Sequence, residues 1–533
     1  MTERGEIRTK FEDLSPKEQA KIIMKERTPS PDEVIYTPTI EFLDPAGDLT
    51  REERGKVIAM GDRTAKSYRS LAKVVLTERD KPPVEVEGEM MDATSAFYLQ
   101  YALGARSSEE IAHTSILEQV NVGPKIYGGD PPIIMEGISV LSALRDVCSL
   151  RHLAFEAFSS RGGIFPENYQ RIPRQLEEIG VGKELYAINE DIYRVYLYLT
   201  EKGLEHYIRA TPREQGEKLW KWKWRVLNLS LDDSRQVTNG TFLNHLSMHP
   251  NSALSLREAL VELSSSWLPE TQEIARDLRN LAEAGLPTLM RYTEASPFMS
   301  SLEKKKKEIA EELGLVSGKV EREMKSRSKL LDAKVTLNSN RVFVAAFLAR
   351  NGEISYLEAF DKLRGTSSEQ VSAYIQRIFE GMQPYDKPPK ELETVHVRAD
   401  FLMSLGAIYE AIRHRLATHL VGRLTPNNGF TTPSIYVELG IEKEYEKAIR
   451  LNERAYSLVK SLGEEYDVFS DYFVARAHLI PFTMRMSAYD IFHFVKLRAS
   501  KGAHPDISSP ANELAFLLQE TQNSIFKHLT LRR

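Results

Sequence analysis

Residues 412–424 read IRHRLATHLVGRL and run into Thr425-Pro426-Asn427-Asn428-Gly429. From Asp400 to Leu424, Leu402, Leu405, Ile408, Ile412, Leu416 and Leu420 recur at helical spacing, which predicts one long amphipathic helix. The run of turn formers after it would end that helix. Arg413, His414, Arg415, His419 and Arg423 gather toward its C-terminal part. A guanidinium donates paired hydrogen bonds from a planar fork and stays charged, so such a cluster suits a nucleotide phosphate or a flavin pyrophosphate. Cations near a helix C-terminus also complement the helix dipole without binding anything.

Working outward, the motif has a fainter copy. Leu150-Arg151-His152 matches Ile412-Arg413-His414, and in each case eight residues separate the Arg-His pair from a further arginine, Arg161 or Arg423. Ser107-Ser108-Glu109 precedes the first copy by 44 residues, and Ser367-Ser368-Glu369 precedes the second by 46. Leu263-Ser264 and Leu497-Arg498 each sit on an apolar helical stretch followed by a proline-containing turn. Ordered recurrence at a nearly fixed offset indicates duplication. Between the copies, Glu303-Lys304-Lys305-Lys306-Lys307-Glu308 begins a charged helix running toward Arg327, read as a solvated face. An apolar stretch, Val335 to Ala349, then starts something new, so the halves are placed at 1–330 and 331–533.

The total of 533 residues suits two such domains. Ser15-Pro16-Lys17-Glu18 and Thr50-Arg51-Glu52-Glu53 carry helix-start chemistry. Strand candidates are fewer: Pro83–Glu87, Lys125–Tyr127, Arg341–Ala345 and Thr394–Arg398. The expected class is α+β, two tandem helix-rich domains each with a small mixed or antiparallel sheet. Lys plus Arg is 71 against 76 Asp plus Glu, a net charge of −5, which gives no global pull toward nucleic acid or an anionic membrane. Cys148 is the single cysteine, so no intramolecular disulfide can form, and a reducing compartment fits. The charged N-terminus carries no signal-peptide pattern, and the longest apolar run, Val342 to Ala349, falls far short of the ~20 residues of a span. A soluble, cytoplasmic protein is expected.

Arg413-His414-Arg415 also opens a signature that resembles the flavin-dependent thymidylate synthases. Thr418 falls where that family often has Ser, while by strict count Arg423 takes the Ser position. Asp386–Glu393 and the Thr425-Pro426 turn resemble a divergent branch. Ala475-Arg476-Ala477-His478-Leu479-Ile480-Pro481 resembles the family's Ala-Arg…Leu-Pro segment. Phe494–Arg498 with Gly502-Ala503-His504 resembles its late, arginine-bearing helix, at shorter spacing. In the first half, His113-Thr114-Ser115-Ile116-Leu117-Glu118 resembles the His-x-Ser-x-x-Glu motif, with Gln119 where a His usually follows. Phe158-Ser159-Ser160-Arg161 resembles a vestige of the Ser-x-Arg element, but Leu153 replaces the third residue of Arg-His-Arg, and Ser264 stands in place of Arg498.

The resemblance implies reductive methylation of dUMP to dTMP, with methylenetetrahydrofolate as carbon donor and NADPH reducing bound FAD. No protein nucleophile is implied; the cofactor carries the hard chemistry, and the protein orients it and supplies fixed positive charge. On that basis Arg413, His414, Arg415 and Thr418, with Arg151, His152 and His113 of the first half, would hold the flavin. Arg423, Arg476 and Arg498, with Ser159, Ser160 and Arg161, would hold the nucleotide. Family sites are shared between subunits, so a homo-oligomer is implied, such as a dimer of two-copy chains forming a pseudo-tetramer. The rival reading is an inactive relative that keeps the fold as a flavin- or nucleotide-binding module or scaffold.

Other features carry less. Trp220, Trp222 and Trp224 alternate as in a strand or sit in a core. His245 and His249, four apart, would share a helix face, but no third metal ligand lies near and Pro250 follows; no metal site is assigned. Gly128-Gly129 and Gly162-Gly163 read as turns.

Overall fold

A computed structural model of the chain describes residues 11–61, 64–79, 81–86, 89–91, 132–150, 153–250, 252–314, 326–383, 386–500, 502–521 and 523–529. Two compact units divide it: Met1–Gly318 with Pro433–Ala475, and Lys319–Thr432 with Arg476–Arg533. His113, Arg151, His152 and the Ser107-Ser108-Glu109 and Lys125–Tyr127 segments lie outside the described residues.

In the first unit, strands β1 (Thr39–Phe42), β4 (Ile133–Ser139), β5 (Leu153–Ala157) and β6 (Leu243–Pro250) form an antiparallel sheet in the order β1-β4-β6-β5. A separate hairpin joins β2 (Val84–Val86) to β3 (Glu89–Met91). Strand β4 is buried on both faces, as its near-continuous apolar run Ile133-Ile134-Met135 requires. The helices Arg51–Gly61 and Tyr68–Glu78 bring Val57, Met60, Tyr68, Leu71 and Val75 onto Ile134. The first helix of the unit, Pro16–Arg27, starts with the capping box its sequence promises, Ser15 and Glu18 bonding reciprocally.

The long helix Gly182–Ala210 buries Leu185, Ile188, Ile192, Tyr196 and Leu199, a three-and-four spacing that gives one apolar stripe. It packs against the helices Leu219–Ser234 and Glu442–Lys460. The last of these is fixed by a buried amide network: Asn239 Nδ2 donates to Asn189 Oδ1 at 3.0 Å and Asn452 Oδ1 at 2.8 Å, and Asn452 Nδ2 donates to Val237 O at 2.9 Å. Buried amides are costly unless bonded, so these partners specify where residues 433–475 belong.

In the second unit, β7 (Lys329–Val335), β8 (His396–Ser404), β9 (Thr418–Val421) and β10 (Leu479–Ser487) form an antiparallel sheet in the order β7-β8-β10-β9. Ranked along the chain, the strand order in both sheets is first, second, fourth, third. Hydrogen bonds leading into the fourth strand repeat as well. In the first unit Val140 N donates to Phe242 O, Leu141 N to Gly240 O, Arg171 N to Thr241 O and Leu243 N to Tyr169 O. In the second, Leu405 N donates to His478 O, Gly406 N to Arg476 O, Thr431 N to Ala477 O and Leu479 N to Gly429 O. The fold is therefore helix-rich α+β with two small antiparallel sheets, as the sequence indicates.

Several local expectations are corrected. Residues 400–424 are not one helix: they comprise the end of β8, a short helix Leu405–Ala411, a turn, and β9. Ser404 caps that short helix, accepting from Ala407 N, while Thr418–Val421 finds a partner strand in β10. A helical stripe of leucines yields to strand pairing that spacing alone does not register. Arg341–Ala345 is helical, within Ser339–Asn351. Trp220, Trp222 and Trp224 ride the Leu219–Ser234 helix; Trp222 is buried and donates to Thr211 O at 2.7 Å. His245 and His249 lie on β6, where four residues span roughly 13 Å, too far to share a metal ion. In the lysine run Lys304, Lys305 and Lys306 lie exposed, on the helix Pro297–Glu312, while Lys307 is half-buried and paired with Glu464. Among the described residues no helix is long and apolar enough to cross a membrane.

Candidate functional site

Three pieces of the second unit meet at the end of the Leu405–Ala411 helix. The helix itself supplies Tyr409 and Glu410, the following turn supplies Arg413, His414 and Arg415, and the helix Ala488–Arg498 supplies Arg498 as its last residue. That helix starts at the end of β10 with a Ser487–Asp490 capping box, so sheet and cap together aim its C-terminus.

Arg498 is held by this corner. Its Nε donates to His414 Nε2 at 3.1 Å, its Nη1 lies 3.3 Å from Glu410 Oε2, and its Nη2 donates to the Glu410 carbonyl at 3.0 Å. Glu410 is buried, and the Arg498 side chain is largely so. Because a guanidinium can only donate, His414 Nε2 must carry a lone pair, and the neutral ring has its proton on Nδ1. Burial, followed by the charges of Arg498, His493 and His419, holds the His414 pKa well below the ordinary imidazole value. The edge of the ring meets His493 at 5.5 Å and Phe494 at 5.1 Å.

Arg476 immediately precedes the β10 approach and is 3% exposed. Its guanidinium lies 5.5 Å over the ring of Tyr409, a cation–π arrangement. Neighbouring residues on one helix end thus seat two arginines, Tyr409 for Arg476 and Glu410 for Arg498. Arg413 is exposed and has no polar partner among the described residues. Arg415 and Thr418 are partly exposed, Thr418 opposite Arg485 of β10. Arg423 is exposed beyond the far end of β9, where Gly422 N donates to Pro481 O at 2.8 Å. The structure therefore brings together Arg476, Arg498, His414 and the Arg413–Arg415 turn, and sets Arg423 apart from that turn by the length of a strand.

The sequence reading missed Tyr409 and Glu410. The available signal was Glu410 itself, a carboxylate on an otherwise apolar helix.

In the first unit, Ser159, Ser160 and Arg161 form a turn directly after β5, as Arg423 follows β9. Ser160 is buried, and Arg161 is bound to Asp232 at 2.8 Å. By the repeated hydrogen-bond pattern Gly240 takes the place of Arg476, and Ser264, the last residue of the helix Ala253–Ser264, takes that of Arg498. A Cβ on Gly240 would meet Leu141 Cβ at 3.0 Å and Tyr472 O at 3.1 Å, so a side chain there is crowded and its neighbours would have to shift. Tyr472 is itself tied down, its hydroxyl donating to Glu270 at 2.7 Å, and Glu270 also accepts from Ser139 and Ser142.

Residues 331–522 match the family described as thymidylate synthase complementing protein. A UPF0159 protein of Chlamydia pneumoniae is 27% identical over 128 residues, 24% of this chain and 24% of that protein, so the chain spans about a quarter of the length of this curated relative. A crystal structure of a UMP/dUMP methylase, PolB, from Streptomyces cacaoi bound with 5-Br dUMP aligns with 38% of this chain and 97% of that one, at 12% identity and a TM-score of 0.30. Residues 331–522 are thus similar to the thymidylate synthase complementing protein family.

Proposed function

We propose that the second half carries a flavin-dependent thymidylate synthase-like site, taking dUMP to dTMP with methylenetetrahydrofolate and NADPH. The observation that carries this reading is the convergence of Arg476, Arg498, His414 and the Arg413–Arg415 turn on one helix end. The donor set fits a phosphate-bearing cofactor: Arg413 is an exposed guanidinium, Arg415 lies two residues on, and Arg485 faces Thr418. Arg413, Arg415 and Thr418 would hold FAD, and the bound flavin would supply the reducing chemistry. Arg476 and Arg498 would fix the nucleotide, their guanidinia preset in a largely buried setting where oriented charge acts most strongly. His414, neutral and committed to Arg498, would orient that arginine rather than exchange protons at pH 7.

The first half is proposed to be the degenerate copy of a tandem duplication, acting as scaffold. Gly240 and Ser264 in place of the two arginines, with Tyr472 in the space, favour this. Apolar Leu416 and Leu420, 81% and 61% exposed around the edge strand β9, favour assembly into a homo-oligomer. For the second half, an inactive nucleotide-binding relative is favoured by one observation: the Arg498 charge is already matched by Glu410. The absorbance spectrum of the purified chain, with FAD and then dUMP added, separates these readings. A synthase takes up flavin, changes its spectrum with dUMP and forms dTMP with NADPH and methylenetetrahydrofolate; a binding relative stops before dTMP. No flavin uptake overturns the proposal.

A further inference from the structure

From this geometry we infer that Glu410 is a positioning residue, whose carboxylate and backbone carbonyl together fix the Arg498 guanidinium against His414. This rests on the proposed site but makes a claim about a residue that composition and motif spacing leave unassigned. Three of the five guanidinium N–H groups go to Glu410 and His414, four residues apart on either side of the turn that bears Arg413. A single residue grips Arg498 from two directions: Oε2 meets Nη1, and the main-chain oxygen, fixed by the helix, meets Nη2. The carboxylate also offsets the arginine's charge within a buried corner, where an unmatched cation is costly. Arg498 is thereby left to act as an oriented donor, and net positive charge is left to the exposed Arg413.

An ion pair that merely stabilises the fold would use the same atoms, so the test needs a readout that a structural role does not move. His414 provides one, because after burial the charges of Arg498, His493 and His419 set its titration, and Arg498 is bonded to both His414 and Glu410. In full-length protein with histidine-selective isotope labels, the His414 resonances are followed by NMR against pH in wild type, Glu410→Ala and Glu410→Gln, with dUMP affinity measured alongside. In Glu410→Ala the carboxylate contact to Nη1 is lost while the main-chain contact to Nη2 remains, so the guanidinium is held less firmly against His414, the His414 titration departs from its wild-type course and dUMP binding weakens about tenfold. In Glu410→Gln the amide oxygen still accepts from Nη1, and both properties return toward wild type. Should Glu410→Ala not fold, Glu410→Asp keeps the charge but withdraws the acceptor, and the same direction of change is expected. Unaltered His414 titration in the Ala or Asp variant overturns the inference, as does a Gln variant no better than Ala. If wild type binds no dUMP, the proposed function fails, while the His414 titration still decides the role of Glu410.

Discussion

Arg498 Nε and His414 Nε2 face each other across 3.1 Å, two groups that cannot both be charged at that distance without a large cost. The arginine keeps its proton, so the histidine gives up the ability to gain one. Because the folded pKa of His414 is depressed, the unfolded chain takes up the proton first as pH falls below about 6.5. Stability is therefore full above that pH and is lost as pH drops. Arg498→Met removes the neighbouring cation, so His414 should titrate closer to its ordinary value, and this part of the acid destabilisation should shrink. Histidine NMR combined with urea unfolding at several pH values checks both; an unchanged His414 titration would show that burial alone sets it.

Glu136 on β4 should give pH dependence of the opposite sign. It is 1% exposed, accepts from Tyr68 N at 2.7 Å through Oε1, and its Oε2 has no hydrogen-bond partner. Burial pushes its pKa up to about 7. The folded state thus favours the protonated acid, and the associated stability is complete below the unfolded pKa and lost as pH rises through about 7. Glu136→Gln retains an acceptor for Tyr68 N and cannot ionise. It should be more stable than wild type at pH 8 by on the order of 3 kcal/mol and nearly equal at pH 4. Equal denaturation midpoints at pH 8 would contradict the buried, strained carboxylate. His245, on the neighbouring strand β6 and lowered to about 4 mainly by burial, runs the other way and destabilises the unit below pH 6.5.

What was legible in the sequence followed from local chemistry. The Ser15 and Thr50 helix starts could be read because capping needs particular side chains at fixed offsets. Leu263-Ser264 and Leu497-Arg498 do close matching helices. The misreading of 400–424 has a definite cause. Apolar residues on β8, on a seven-residue helix and on β9 happen to fall on one helical stripe, and only pairing with β10, some 80 residues from β8 and 60 from β9, separates them. A further repeat went unread although its signal was present. Pro173 to Gly180 and Pro433 to Gly440 each hold a five-residue helix closed by a glycine at φ +88° and +68°, conformations that a side chain would strain. Glu410 stood out only as a lone carboxylate on an apolar helix, and its role with that of Tyr409 could not be read because their partners, Arg498 and Arg476, are 88 and 67 residues away.

Gly240 provides a test of the filled first-half pocket. Leu141 Cβ and the Tyr472 carbonyl would lie at 3.0 and 3.1 Å from an added Cβ, and the second contact is backbone, which cannot rotate away. Gly240→Ala should destabilise by about 1–3 kcal/mol through overpacking, and Gly240→Arg by more, with no gain of nucleotide binding. Urea unfolding and dUMP titration of the two variants check this. A stable Gly240→Arg chain that binds additional dUMP would show the pocket to be open rather than filled.

Arg413 and Arg476 should separate binding from stability. Arg413 is exposed and has no polar partner among the described residues, so Arg413→Ala should leave the thermal midpoint unchanged while weakening FAD uptake about tenfold. FAD affinity should fall with ionic strength more steeply in wild type than in the variant, since the contact removed is an exposed charge. Arg476 is buried, with its guanidinium over the ring of Tyr409. Arg476→Lys keeps the charge but not the plane or the fork, so it should lose dUMP affinity while FAD uptake stays near wild type. Fluorescence titration of flavin and calorimetric titration of dUMP measure the two arms. Loss of both ligands in both variants would mean that the two arginines serve one anionic ligand, and the division of the site between flavin and nucleotide would have to be redrawn.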